Sequence, residues 1–350
     1  MEGLIPMLVS DFDFELPEDR IALRPVSPRH SARQLIVRDN QFQDKTVFDM
    51  TDLLNENDLI IFNDTKVIPS YLFAKRGDMQ TECNLHKRIS PIEWLAFIKK
   101  SKRLNIGDIL VFADGKLTAS ITEKHDGGEV LLKFDCNIGE LESKLDEIGQ
   151  MPLPPYIASK RAVDEKDNDD YQTMFAEKDG AVAAPTASLH FTDELLEKIV
   201  TKGIKTARLT LHVGAGTFLP MKVDDTKDHK MHAEWGEVSA EVANLVNQTH
   251  QNGGRVIAVG TTVLRLLESA TDKDGITLPF SGDTDIFITP GYKFQCVDIL
   301  MTNFHLPKST LFMLVSAFIG LDVMKSAYNY AIKNKYRFYS YGDSSLLFRE

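Results

Sequence analysis

The sequence has few cysteines, no long apolar run and no signal-peptide pattern, and each shortage excludes a class of protein. Its three cysteines are an odd number and form no Cys-x-x-Cys pair, so neither a disulfide framework nor a cysteine-based zinc site is expected. The longest apolar stretch, around residues 311–321, is far shorter than the roughly 20 residues that span a bilayer. We therefore expect a cytoplasmic protein that does not insert into membranes.

Positive charge is also in short supply. The chain has 40 basic and 51 acidic residues and a net charge of −11, which excludes a protein that coats nucleic acid through a global positive field. A local basic surface is still possible, because residues 71–105 carry eight Lys or Arg against three acids, with Trp94 and Phe97 interleaved. Positive charge beside aromatic rings is typical of RNA-binding surfaces. An ordinary solvated surface is the alternative.

The length of 350 residues predicts about two domains. An apolar content of 43% and a charged content of 26% are ordinary for a globular protein. Residues 58–65 form an apolar run that ends in small polar residues, which predicts a buried strand leading into a functional turn. Residues 71–134 alternate short apolar segments with glycine turns, which predicts a small all-β unit. The prolines of residues 151–156 predict an extended connector and a domain boundary.

The second half of the chain alternates strand and helix patterns. Residues 163–170 carry five acids and one lysine, which predicts a solvated loop. Thr192 followed by two acids then predicts a helix N-terminus. The segments that follow predict a strand, a helix, a strand and a helix, at residues 207–213, 238–250, 255–259 and 262–270. This alternation predicts an α/β fold with a largely parallel sheet.

Two of these strands are predicted to end at glycine turns, where α/β sheets usually bind ligands. The first ends at Gly214-Ala215-Gly216-Thr217, where backbone N–H groups could approach a ligand unobstructed by side chains. The second ends at Gly260-Thr261-Thr262, at the mouth of a helix whose free N–H groups could bind a carboxylate or a phosphate. The alternatives are a plain tight turn at the first site and a helix cap by Thr261 or Thr262 at the second.

Six of the nine histidines lie within residues 190–305, and five of them are candidates that stand beside small or polar residues: His190, His212, His229, His232 and His305. Imidazole is the natural acid or base near neutral pH, so this concentration indicates proton transfer, although each histidine could equally be a structural one. His229 and His232 could be interpreted as a metal pair. We reject that interpretation, because no HExxH motif and no third ligand at a recognised spacing accompany them.

Motifs distributed over nearly the whole chain carry a resemblance to one family. They include Phe62-Asn63-Asp64-Thr65 and Met151-Pro152-Leu153-Pro154-Pro155-Tyr156, and the complete set covers residues 9–17, 62–69, 151–157, 180–187, 211–218, 229–235, 259–262, 302–317 and 336–343. In this order they resemble the S-adenosylmethionine:tRNA ribosyltransferase-isomerases of queuosine biosynthesis. Ser188, Val263 and Ser70-Tyr71 depart from the pattern, in which glycine, serine and an alanine-arginine pair are usual. At Tyr71 the departure removes an arginine that could have contacted a phosphate or a carboxylate.

The resemblance implies a fold. We expect a catalytic α/β body with a mostly parallel, barrel-like sheet over residues 7–70 and 152–350. Residues 71–151 are expected to form an inserted, small all-β domain that resembles a barrel. Residues 1–6 precede the start that is usual in the family, so we expect an N-terminal extension with Met7 as the initiator.

The resemblance also implies a reaction. The ribosyl group of S-adenosylmethionine moves to 7-aminomethyl-7-deazaguanine at the wobble position of a tRNA and is isomerised to an epoxycyclopentanediol, with release of adenine and methionine. A base must remove a C5′ proton beside the sulfonium, and an acid must assist the departure of adenine. Histidines with separated pKa values suit both roles. Because the cosubstrate carries the reactive sulfonium, no metal and no cofactor beyond S-adenosylmethionine are expected.

Residue roles follow from combining the resemblance with local pattern. His212 is the predicted base because it shares one face of a strand with Gly214, and His190 and His305 are the next candidates for the base or the acid. Glu234 is expected to orient His232, and Arg265 to bind the methionyl carboxylate. The remaining predicted cosubstrate contacts are Gly214, Gly216, Thr217, Gly260, Thr261 and Thr262. The predicted base or tRNA contacts are Asp64, Thr65, Lys66, Lys99, Lys100, Lys102, Arg103, Asn303, Lys308 and Arg337.

Two other functions stay open at this point. One is a phosphoribosyltransferase-like enzyme that binds phosphate at the Gly260-Thr261-Thr262 helix mouth, although the paired acids that usually precede such a loop are missing. The other is a tRNA-binding protein without catalysis. The expected partners are S-adenosylmethionine and tRNA, with no membrane, and the expected state is a monomer.

Overall fold

The computed structural model describes residues 7–214, 221 and 223–349. Within them the strands are β1 (Arg33–Arg38), β2 (Gln41–Thr46), β3 (Leu59–Asn63), β4 (Thr65–Val67), β5 (Tyr71–Arg76), β6 (Met79–Ser90), β7 (Glu93–Ile98), β8 (Ile109–Phe112), β9 (Leu117–Lys124), β10 (Glu129–Phe134), β11 (Lys178–Ala181), β12 (Lys205–Leu211), β13 (Glu234–Val238), β14 (Val256–Val259), β15 (Phe280–Thr284), β16 (Ile299–Asn303) and β17 (Ser344–Phe348). The α-helices are α1 (Leu141–Ile148), α2 (Pro155–Ala158), α3 (Lys166–Asp170), α4 (Asp193–Thr201), α5 (Ala240–Gln251), α6 (Thr261–Ala270), α7 (Thr310–Ile319) and α8 (Leu321–Lys333).

Nine of the described strands form one large sheet, in the order β15-β13-β12-β3-β14-β16-β17-β1-β2. At its centre β3 pairs in parallel with β12 and β14, and every residue of β3 is buried, as expected for a strand covered on both faces. The predicted α/β body is confirmed. In detail the sheet is mixed and open, because parallel pairs at the centre give way to antiparallel pairs such as β1 with β2, which a two-residue turn at Asp39-Asn40 joins as a hairpin.

The strands between Tyr71 and Phe134 form a closed barrel, in the order β10-β7-β6-β5-β8-β9 within the described chain. Alternate residues of β7 and β10 are buried, so one side of each strand fills the barrel and the other faces outward. The predicted all-β unit is confirmed. Its chain enters and leaves at one place, since the backbones of Tyr71 and Gln150 exchange hydrogen bonds of 3.2 and 2.9 Å.

Helix ends follow their local sequence closely. Thr192 caps α4 as predicted, since its hydroxyl accepts a hydrogen bond of 3.3 Å from the N–H of Leu195. The prediction of a solvated loop at residues 163–170 is wrong, because the segment contains α3 and the fully buried Asp167. The carboxylate of Asp167 binds the guanidinium groups of Arg24 and Arg161, at 2.8 and 2.6 Å. These two cations explain why an acid can be buried there.

Among the described residues, no single helix is long and apolar enough to cross a membrane. Helices α7 and α8 together meet the same requirement of length and apolar composition, but they are bent by 113° at the break between them. The break is Gly320, whose φ of 92° lies in the region that favours glycine.

Candidate active site

A cleft of about 920 Å³ lies between the barrel and the α/β body. The body contributes Arg265 and Thr262 from α6, Glu234 from β13, and His229 and His232 from the segment before β13. The barrel contributes the opposite wall, which includes Phe97 and Glu129. Both sides of the cleft therefore carry ionisable groups, with hydroxyls on the body side and an aromatic ring on the barrel side.

A second, more enclosed cavity of about 390 Å³ adjoins this cleft, and both are lined by Thr261, Thr262 and Leu311. Its wall is made where three parallel strands end, by Val213 after β12, Gly260 after β14 and Asn303 at the end of β16. The carboxyl ends of neighbouring parallel strands meet at one edge, which is where ligands bind in α/β sheets. The two cavities together can hold a ligand with an extended body and two distinct ends.

Helix α6 begins at the junction of the two cavities. Its N-cap is Gly260, with a φ of 100°, and Thr261 and Thr262 are the first two helical residues. The alternative in which one of these threonines caps the helix is therefore wrong. The Thr262 hydroxyl is buried without a hydrogen-bond partner among the described residues. Free N–H groups of the first turn and this hydroxyl make the helix mouth suitable for an anionic group.

Arg265 lies one turn further along α6 and is only 4% exposed. Its Nη1 donates to Glu234 Oε2 at 2.5 Å, while Glu234 Oε1 accepts from the N–H of Gly214 at 2.9 Å. Arg265 Nη2 is buried and has no partner among the described residues. A buried guanidinium that is fixed on one side and unsatisfied on the other is suited to bind a carboxylate.

His212, the predicted base, directly follows β12. Its Nδ1 lies 2.8 Å from the hydroxyl of Thr65, and its ring stacks on Trp235 at 5.3 Å. Burial, followed by the charge of Lys178, lowers the pKa of His212 below its ordinary value. Its ring also packs against Gly180, where a Cβ would lie 2.9 Å from the imidazole. The structure thus fixes the ring firmly. The predicted contacts Gly216 and Thr217 lie outside the described residues.

Asp64 lies close to the same histidine. Its carboxylate accepts a hydrogen bond of 2.7 Å from Thr210, which shares a strand face with His212. Burial raises the pKa of Asp64, against the opposing effect of this hydrogen bond. The predicted residues Asp64, Thr65 and His212 are therefore brought together, although none of them lines either cavity.

His190 and His305 are connected to the second cavity. His305 lines it, and its Nε2 lies 3.1 Å from the hydroxyl of Thr302. His190 lies behind Asn303, whose Nδ2 is 3.2 Å from His190 Nε2. Burial lowers the pKa of both histidines to about 3, so both rings are neutral at pH 7. Each ring can therefore accept one hydrogen bond and donate another.

His229 and His232 both line the larger cleft. The side chain of His229 packs edge-on against Phe287, with ring centroids 5.2 Å apart, and His232 is exposed. Within the described residues, no group of three or more His, Cys, Asp or Glu side chains is arranged to hold a metal ion.

Of the predicted base or tRNA contacts, Asp64, Thr65 and Asn303 are buried, whereas the basic residues are dispersed over the surface and most of them are already paired. Lys66 binds Asp179, Lys308 binds Asp13 and Arg337 binds Asp343, at 3.0, 2.8 and 3.2 Å. In the barrel, Lys99 binds Glu82 and Lys100 donates to the carbonyl of Gln80, whereas Lys102 and Arg103 are exposed and have no ion-pair partner within the described residues. Trp94 is buried in the barrel core at 2% exposure, so the expectation of an aromatic surface there holds for Phe97 alone.

Comparisons with known proteins agree on one family. The model of the queuosine biosynthesis protein family matches residues 9–347. This chain belongs to that family. S-adenosylmethionine:tRNA ribosyltransferase-isomerases of Brucella ovis and Brucella canis are each 58% identical to it, over 98% of this chain and 98% of theirs. The crystal structure of S-adenosylmethionine tRNA ribosyltransferase from Thermotoga maritima is 31% identical and covers 97% of this chain and all of its own, with a TM-score of 0.55.

Sequence reasoning missed three side chains of this family member's barrel wall: His86, Phe97 and Glu129. Phe97 was noted only as part of a basic surface, and the other two were not singled out. Glu129 and Phe97 are cross-strand neighbours on β10 and β7. His86 is on β6, which pairs with the other side of β7, at a break in the strand register. The only signal available in the sequence was the pattern of β6, where His86 is followed by two further polar residues and interrupts the alternation.

Proposed function

We propose that this chain transfers the ribosyl group of S-adenosylmethionine to 7-aminomethyl-7-deazaguanine at the wobble position of a tRNA. The group is isomerised in the process to give epoxyqueuosine-tRNA, and adenine and methionine are released. The observation that carries the proposal is 58% identity over essentially the full length to relatives with this named activity. The cleft between barrel and body gives the two substrates a common site.

The methionyl end of S-adenosylmethionine binds at the free side of Arg265. Nη1 of Arg265 is held by Glu234, and the unsatisfied Nη2 and the Thr262 hydroxyl supply donors for the α-carboxylate. The N–H groups at the start of α6 add positive potential in the same region. Because Glu234 fixes the guanidinium before the ligand arrives, little side-chain entropy is lost on binding.

The adenosyl end then extends into the smaller cavity. His305 and Asn303 line that cavity, and His190 supports Asn303 from behind. This arrangement supports the proposed role of His305 or His190 as the group that assists adenine departure. His212 remains our proposed base for the C5′ proton, supported by the contacts with Thr65 and Trp235 that fix its ring after β12.

The combination of an α/β body and a small barrel supports the same proposal. We also propose that residues 71–151 are one inserted domain and that residues 7–70 and 152–350 are the catalytic body. The reciprocal hydrogen bonds between Tyr71 and Gln150 support those limits. A tRNA substrate supports the expected cytoplasmic location.

One assay tests the function against both alternatives. The protein is incubated with S-adenosylmethionine and a tRNA that carries 7-aminomethyl-7-deazaguanine, and adenine and methionine are quantified. We expect equimolar release of both, and no release with the same tRNA carrying guanine at the wobble position. A phosphoribosyltransferase-like enzyme would release neither. A binding protein without catalysis would retain the tRNA and leave S-adenosylmethionine intact.

A further inference from the structure

The wall that the barrel contributes to the cleft is built from two paired strands. Phe97 on β7 and Glu129 on β10 lie directly opposite each other in register, so their side chains project from the same side of the barrel. Their neighbours Ala96 and Val130 are buried in the barrel core, which sends Phe97 and Glu129 outward to the cleft. An aromatic face and a carboxylate are thereby presented together.

A bulge in β6 brings a third side chain to this wall. The register between β6 and β7 shifts between Leu85 and Lys87, which leaves His86 as the additional residue. The His86 ring stacks on Phe97 with centroids 4.4 Å apart and an interplanar angle of 18°. His86 Nε2 lies 2.9 Å from Glu129 Oε1. His86 therefore packs against both the ring and the carboxylate, although its Nε2 makes no hydrogen bond among the described residues.

The charges on this wall leave Glu129 as its negative centre. Burial, followed by the charges of His232 and Lys87, lowers the pKa of His86 to about 4, so His86 is neutral at pH 7 and does not cancel the charge of Glu129. Lys124, which also lines the cleft, donates its Nζ to the carbonyl of Leu104. Asp126 is exposed on a turn, whereas the Glu129 side chain is only 19% exposed.

We propose that the barrel wall recognises the modified base: Glu129 binds the aminomethyl ammonium of 7-aminomethyl-7-deazaguanine, and Phe97 stacks on the deazaguanine ring. The inference rests on the proposed function. A primary alkylamine is a cation at neutral pH, and a carboxylate is its natural partner. An unstacked base is typically held against an aromatic side chain. His86 is a positioning residue that acts through Glu129, and Arg265 across the cleft keeps the methionyl end of the cosubstrate apart from the amine.

The test compares two tRNAs that differ only at the wobble position, where one carries 7-aminomethyl-7-deazaguanine and the other guanine. Wild-type protein should bind the modified tRNA more tightly. Glu129→Gln keeps the shape but loses the charge, so we expect the preference to fall by about 10- to 100-fold with unchanged affinity for the guanine tRNA. Phe97→Leu should weaken both tRNAs by a similar factor, because stacking does not recognise the amine.

Glu123→Gln is the matched control. Glu123 is also a barrel glutamate beside a histidine, at 3.3 Å from His125, but its carboxylate does not line the cleft. It should keep the full preference. His86→Ala should reduce the preference and His86→Gln should restore most of it, because the amide nitrogen of glutamine reaches the position of Nε2. A purely structural role of His86 would lower the affinity for both tRNAs equally.

Adenine release separates a failure of this inference from a failure of the proposed function. If the wild-type protein releases no adenine with the modified tRNA, the proposed function is wrong. If the wild-type protein is active and Glu129→Gln keeps both its preference for the modified tRNA and its kcat/KM, the function stands and the assignment of Glu129 is overturned. Retention of the thermal unfolding midpoint in Glu129→Gln shows that the barrel is intact.

Discussion

Replacement of Arg265 by leucine should separate folding from cosubstrate binding. The ion pair of Arg265 with Glu234 is buried, with exposures of 4% and 6%. Replacing the cation breaks this buried ion pair by removing one partner, which typically costs about 3 to 5 kcal/mol. The unfolding entropy of a 350-residue chain is roughly 0.7 kcal/mol/K, at about 2.1 cal/mol/K per residue. The unfolding midpoint should therefore fall by about 4 to 7 °C.

Binding of S-adenosylmethionine should weaken as well, by about 10- to 100-fold, because a charge-assisted hydrogen bond to its carboxylate is removed. The double variant Arg265→Leu/Glu234→Gln also removes the buried carboxylate charge and keeps an acceptor for the N–H of Gly214. We expect it to recover most of the stability and none of the affinity. Calorimetric scans and isothermal titration of the three proteins measure both quantities.

Arg255→Leu is the control. Arg255 forms an ion pair with the buried Asp58 at 2.5 Å, just before β14 and β3 begin and so at the edge of the sheet opposite the cleft. Its loss should lower the stability without changing the affinity for S-adenosylmethionine. If the double variant at Arg265 and Glu234 recovers the affinity together with the stability, Arg265 is only structural and the carboxylate site lies elsewhere.

Three further predictions concern the histidines and the basic surface. His212→Ala should reduce kcat at least 100-fold while S-adenosylmethionine binds nearly normally. If its kcat instead stays within about threefold of wild type and the kcat of His190→Ala or His305→Ala falls steeply, the base is one of those two histidines. His190 and His305 have folded pKa values of about 3 against about 6.5 in the unfolded chain, so stability is full above pH 6.5 and falls as the pH decreases towards 3. The loss should be about 2 kcal/mol per histidine between pH 6.5 and 5, measured by urea unfolding, and His190→Gln/His305→Gln should flatten it. Simultaneous substitution of Lys99, Lys100, Lys102 and Arg103 by serine should weaken tRNA binding. It should also reduce the slope of log affinity against log salt concentration by about one unit for each phosphate contact that is lost. Unchanged affinity would show that the tRNA binds to another surface.

Features that depend on neighbouring residues could be predicted from the sequence. The buried strand before Asp64, the N-cap at Thr192 and the change from strand to helix at Gly260 each follow from a few adjacent side chains. Arg265 could be placed one turn inside α6 for the same reason. The sequence could not show that Arg265 Nη2 lacks a partner among the described residues, because the orientation of the guanidinium depends on Glu234 from another element, β13.

Features that depend on distant pairing were missed. The burial of Asp167 requires Arg24, which is 143 residues away in the chain. Trp94 is interior because six strands close around it, whereas its sequence neighbours suggested a surface. The barrel wall of the cleft needs both the register of β7 with β10 and a bulge in β6. No local pattern encodes the register, and only the break in alternation at His86 marks the bulge.

The position of the barrel strands along the chain also affects the order in which the protein can fold during synthesis. The six strands of the barrel are consecutive between Tyr71 and Phe134, so all of them are available soon after that stretch leaves the ribosome. By contrast, β3 must wait for β12 and β14, and β1 waits for β17, which begins at Ser344. Nascent chains arrested after residue 150 should therefore resist protease within the barrel, while β1 and β3 remain open to cleavage and to capture by chaperones.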